Sequence, residues 1–120
     1  MKKILTVAAL VLAIATPAFA ADVTSGEWVR DDGASKVQFA PCGEFLCGTI
    51  TWLREVGGTA FVGQRVFYDM KPVSDTVWEG KAFNPEDGKE YGGKMTLNGD
   101  ALLTEGCVFF ICKAANWVRA

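Results

Sequence analysis

The segment 76–97, TVWEGKAFNPEDGKEYGGKMTL, decides the fold. Val77, Trp78, Phe83, Tyr91, Met95 and Leu97 suit β-strands, and between them Asn84-Pro85-Glu86-Asp87-Gly88 places a proline where φ is fixed and a glycine where φ can be positive. This is a hairpin. Working outward from it, short strand-like runs recur at similar spacing. Residues 26–30, 36–39, 47–53 and 65–69 precede the hairpin, and residues 101–105 and 113–119 follow it. Asp31-Asp32-Gly33, Pro41-Cys42-Gly43 and Asn98-Gly99-Asp100 are turn signals between these runs. Gly57, Gly58 and Gly63 mark 54–63 as the longest loop. In the 47–53 run, strict alternation puts Gly48, Ile50 and Trp52 on one face.

Eight antiparallel strands with short connections predict an all-β fold, a small up-and-down barrel that leaves no exposed sheet edge. A two-sheet sandwich is the alternative. An eight-stranded barrel is just wide enough inside for side chains or one small ligand.

Residues 1–20 carry Lys2-Lys3, an apolar run over 4–15 and a small-x-small ending at Ala18-Phe19-Ala20, the pattern of a secretory signal peptide. No cysteine follows to accept a lipid, and no second apolar segment suggests an integral membrane protein. Residues 21–120 are then a single domain, periplasmic or secreted. The leader takes two lysines with it, leaving 10 basic against 14 acidic residues, a net charge of about −4. Nucleic acid is excluded as a partner, because phosphate binding requires a clustered basic excess.

Cys42, Cys47, Cys107 and Cys112 form an even set in a small exported chain, and disulfides are expected rather than a metal site. Structural zinc favours shorter spacings and often histidine, and the chain has no histidine. In an up-and-down meander the two cysteine-bearing turns lie at opposite ends of the barrel, so the expected bridges are Cys42–Cys47 and Cys107–Cys112. Crossed pairing would instead favour a sandwich or a different strand count.

The order Gly26-x-Trp28, Pro41-Cys42-Gly43 with Leu46-Cys47-Gly48, Trp78-x-Gly80-Lys81, Asn84-Pro85-x-Asp87-Gly88-Lys89-x-Tyr91 and the closing Trp117-x-Arg119 resembles the bacterial exported family called domain of unknown function 2147. The resemblance spans nearly the whole mature chain. It implies a lipocalin-like barrel of the calycin type in the cell envelope, with no assigned activity. Calycin barrels also resemble one another in a first-strand tryptophan covered by a basic residue near the last strand, which implies a structural pair of Trp28 and Arg119.

The absence of histidine removes Ser-His-Asp and Cys-His catalysis, and four paired cysteines leave no free nucleophile. The carboxylates Asp69, Glu79, Glu90 and Glu105 alternate with apolar residues in the manner of a solvated sheet face. An enzyme is therefore not expected, and no cofactor is implied. The aromatic residues Trp52, Phe67, Trp78, Phe83 and Tyr91 either fill the barrel or line a pocket, and periodicity does not separate the two. Gly48, Gly80, Ala82, Gly92 and Gly93 supply little volume beside those rings, which suits bends, close backbone approach or a cavity. The first functional expectation is a small apolar ligand bound by Trp52, Phe67, Trp78 and Tyr91. The second is an envelope protein partner met by the apolar turn Val108, Phe109, Phe110 and Ile111 or by the 54–63 loop; exposed, that turn would suit a membrane surface or a partner protein, and folded back it would be a lid on the barrel's end.

Overall fold

The structure, a computed structural model, describes residues 22–120, and every regular element among them is a strand. The elements are β1 (Trp28–Arg30), β2 (Ser35–Cys42), β3 (Phe45–Leu53), β4 (Arg65–Pro72), β5 (Val77–Asn84), β6 (Lys89–Asn98), β7 (Ala101–Val108) and β8 (Ile111–Arg119). Each pairs antiparallel with the next, and β1 pairs with β8, closing the barrel. The up-and-down barrel read from the sequence is the fold, and the sandwich is not. The signal peptide expected over 1–20 lies outside the described residues.

The strands run further into their turns than turn chemistry alone suggested. Pro41 lies within β2 opposite Leu46, and only Gly43 and Glu44 remain between β2 and β3. Cys42 and Cys47 are bridged beside that turn with Cα atoms 5.6 Å apart, and Cys107 and Cys112 beside the β7–β8 turn at 4.0 Å. Because successive turns alternate between ends, the two bridges sit at opposite ends of the barrel.

One end is closed. Residues ahead of β1 fold under the barrel so that Val23 is buried beneath Trp28, whose indole Nε1–H donates to the Val23 carbonyl at 2.9 Å. Met70, Met95, Leu97 and Leu102 fill the space above. The Arg119 guanidinium lies 4.4 Å from the Trp28 ring, as the family resemblance implied. It also donates from Nη1 to the Ser25 carbonyl at 2.9 Å, and its Nε pairs with Asp100 at 2.9 Å. A planar guanidinium stacks on an indole and satisfies several acceptors at once, which an ammonium cannot do in the same pose. One side chain thus ties the N-terminal segment, β1, β8 and the β6–β7 turn together.

Register shifts break the regular alternation in β3 and β4, and two of them decide side-chain placement near the site. Val37 pairs with Ile50 whereas Lys36 pairs with Trp52, so Thr51 is an extra residue in β3. An inserted residue reverses the facing of everything beyond it. Leu53 accordingly packs on the core, and Trp52 turns outward. In β4, Asp69 and Met70 together oppose Gly80, with Asp69 in the left-handed region at φ 54. A Cβ on Gly80 would stand 2.4 Å from the Asp69 carbonyl oxygen, so the bulge requires glycine on the facing strand.

Arg119→Ala should lower unfolding stability by about 2 kcal/mol, with Arg119→Lys recovering little of it, as read by urea denaturation. Gly80→Ala should cost about 2 to 3 kcal/mol by forcing two main chains apart, whereas Asp69→Gly should be tolerated. Equal stability of Gly80→Ala and the parent would contradict the packing described for the β4 bulge.

Candidate functional site

The opposite end of the barrel is open. Side chains on β2 to β8 surround a cavity of about 340 Å³ that reaches the turns joining β1 to β2 and β5 to β6. Its floor and walls are apolar, formed by Val37, Ile50, Phe67, Ala82 and Trp117. The Phe67 ring stands edge-on to Trp117, with centroids 6.5 Å apart, and is tilted against Phe39 at 5.6 Å. Gly48 makes that second contact possible, since a Cβ there would lie 2.6 Å from the Phe39 ring. Thr104 is the buried polar side chain among the described residues, and its hydroxyl accepts a 2.9 Å bond from the Trp117 indole N–H. With that partner inside the wall, the floor makes no unmet polar demand on an occupant.

The space arises where side chains are small. Ala82, Gly106 and Ala115 lie on β5, β7 and β8 and all three line the cavity, Ala82 opposite Tyr91 and Gly106 against its side chain. Gly80 and Gly93 serve a different purpose, because a Cβ on either would meet the main chain of the neighbouring strand. Gly92 is exposed. Of the small residues singled out in the sequence, Ala82 alone opens room for a ligand.

Polar groups gather at the mouth. Arg30, Ser35, Asn84, Glu86 and Lys113 contribute to it, and Tyr91 reaches across to donate its phenolic O–H to Asp87 in the β5–β6 turn. That hydrogen bond is the main reason the Asp87 carboxyl is held below its ordinary value of 3.8 and the Tyr91 phenol above its ordinary value of 10.0; nearby Lys113 and Lys89 lower Asp87 further. On the outer wall Tyr68 donates to Glu90, which also meets Lys81 at 3.5 Å, and Tyr68 is pushed up to about 12 chiefly by that bond. A second hollow of about 290 Å³ continues from the mouth beneath the 54–60 segment.

The four aromatics expected to bind a ligand are not brought together. Phe67 and Tyr91 line the cavity. Trp78 is buried near the closed end, opposite Pro72 and Met95, and belongs to the packed core. Trp52 is 41% exposed on the outer wall with Lys36 Nζ 5.4 Å from its ring centre. The Thr51 bulge explains this correction, since without it Trp52 would face inward beside Ile50. Trp117, Thr104, Ala115 and Lys113 were not singled out as site residues. Of these, Trp117, Ala115 and Lys113 share one parity on the last strand, and that spacing was the available signal. Val108, Phe109, Phe110 and Ile111 are exposed at the open end, Phe109 and Phe110 the most fully.

The chain contains two tyrosines, so their ionisation can be followed by ultraviolet absorbance. Both should titrate above pH 10, Tyr68 near pH 12, and Glu90→Ala should return one of them toward the ordinary value. The signs of the linked stability follow. Raised phenols contribute stability that is present below pH 10 and lost as pH climbs through their folded-state values. The lowered carboxyls of Asp87 and Glu90 contribute stability that is present above their ordinary values and lost as pH falls through their depressed ones.

No curated protein and no solved structure matches the chain at a significant level. The family described as "Uncharacterized protein conserved in bacteria (DUF2147)" matches residues 26–119, which run from just ahead of β1 to the end of β8. That match takes in the barrel wall, the Trp28 and Arg119 pair and the cavity, and the chain belongs to the DUF2147 family.

Proposed function

We propose that the protein holds a small, largely apolar molecule in the open end of its barrel, as a binding protein of the cell envelope rather than an enzyme. The observation that carries this reading is the 340 Å³ cavity with an apolar floor and a polar mouth. Small-molecule sites occupy about 300 to 1,000 Å³ and combine apolar walls with a few convergent polar groups. The volume here suits a ligand at the lower end of that range. Its apolar part would lie against Phe67 and Trp117, and its polar end would face Lys113 and Arg30.

The two disulfides fit an oxidising compartment, which supports placement in the envelope.

Native mass spectrometry of the protein purified gently from its own cells tests the reading. The expected result is a reproducible extra mass that disappears on denaturation. Ala115→Trp, which fills the cavity from β8, should arrive without that mass while keeping its far-ultraviolet circular dichroism and both bridges. A bare parent protein, or a mass retained unchanged in Ala115→Trp, would remove the cavity as the ligand site.

A further inference from the structure

Three turns of the barrel contain two residues, and in each the first of the two has positive φ. In two of them that residue is glycine, Gly43 at φ 72 and Gly99 at φ 63. In the third it is Phe109 at φ 55. A bulky L-residue is disfavoured there, and glycine is the residue such turns select. The β7–β8 turn therefore carries an aromatic against its own backbone preference. The Cys107–Cys112 bridge clamps the backbone of this hairpin, but the fold gives the two rings no packing, because Phe109 and Phe110 are 93% and 101% exposed. Strain kept at an exposed position without internal packing points to an external contact.

The same end of the barrel carries a second apolar group. Val56, Phe61 and Val62 are exposed on the loop between β3 and β4, across the mouth from the β7–β8 turn. Around the rim Arg30, Arg54, Lys89 and Lys113 stand with Asp31, Asp32, Glu55, Glu86 and Asp87, so it has no marked excess of either sign. The outer wall shows Glu79, Lys81, Glu90 and Lys94, which a lipid-facing band would not tolerate. Those charges leave only this end apolar enough to face lipid.

We propose that this end docks on a bilayer surface of zwitterionic lipids, with Phe109 and Phe110 entering the interface and Val56, Phe61 and Val62 supporting them from the opposite side. Two separated loop tips offer little continuous area, whereas a stable protein interface buries about 1,000 Å² or more. A fluid interface closes around separate tips without needing a complementary shape, and binding there scales with the apolar area inserted. Balanced charge suits headgroups that carry both signs, whereas an anionic surface would call for a basic excess. The cavity mouth would then open toward lipid, although the docking does not require that the cavity be occupied.

Co-flotation with vesicles of phosphatidylcholine and phosphatidylethanolamine tests this. The parent protein should float with the vesicles, and added anionic lipid should change the bound fraction little. Phe109→Gly with Phe110→Ser restores the preferred turn residue, so the variant should fold at least as well as the parent while its bound fraction falls about tenfold or more. As a second measurement, the indole introduced by Phe110→Trp should be quenched by brominated lipid more strongly than the parent's own tryptophans. A parent that stays at the bottom of the gradient, a double variant that floats as well as the parent, or a Phe110→Trp signal indifferent to brominated lipid would overturn the proposal. Capture of one specific protein through the tip, without vesicle binding, would assign the surface to that partner instead. An extra mass in native spectra beside failed flotation would leave the cavity reading standing and remove the docking alone.

Discussion

An eight-stranded sheet becomes a barrel only if its first strand reaches its last, and here that closure passes through the three residues of β1. So short a strand offers few ladder bonds, and side chains supply what the ladder lacks. Trp28 fills the end of the core, Val23 seals it from below, and Arg119 fixes the indole from the far strand while holding the N-terminal segment and Asp100. The rest of the interior depends on that seal. With one end filled by large side chains, the other can remain open without loss of the core.

This division runs along single strands. On β8, Arg119 covers the closed end, Trp117 forms the cavity floor, and Ala115 and Lys113 stand at progressively shallower levels. On β6, Leu97 and Met95 belong to the packed end and Tyr91 to the cavity. On β5, β7 and β8 the passage from packing to space follows inward residues that become smaller, from Trp78 to Ala82, Leu102 to Gly106 and Trp117 to Ala115. The glycines at 80 and 93 let neighbouring backbones approach closely beside this region, and they add no volume to it.

Much of the fold was legible in the sequence, and the reasons are local. Turn chemistry around Asn84-Pro85 and Gly99, alternation in β2 and cysteine spacing each act over a few residues, so the strand order, the closed meander and both bridges could be read directly. The site was less legible because it depends on register between strands. The extra residue at Thr51 is invisible in β3 alone and appears only when β3 is laid against β2, and it sends Trp52 outward. Trp78 shows a second difficulty. Its inward facing was readable, but its depth along the barrel axis separates core from cavity, and alternation carries no information about depth.

The two bridges each join cysteines five positions apart. Oxidation of either needs only its own hairpin, so neither thiol must wait for a distant segment and the competing pairings have little opportunity to form. The β1–β8 contact is the opposite case, since Trp28 and Arg119 stand almost at the two ends of the domain. Loop-closure entropy makes so long-range a pairing the late event of assembly, reached after the hairpins exist. The chain can thus lock its covalent links one hairpin at a time, leaving the arginine on the tryptophan as the clasp that completes the ring.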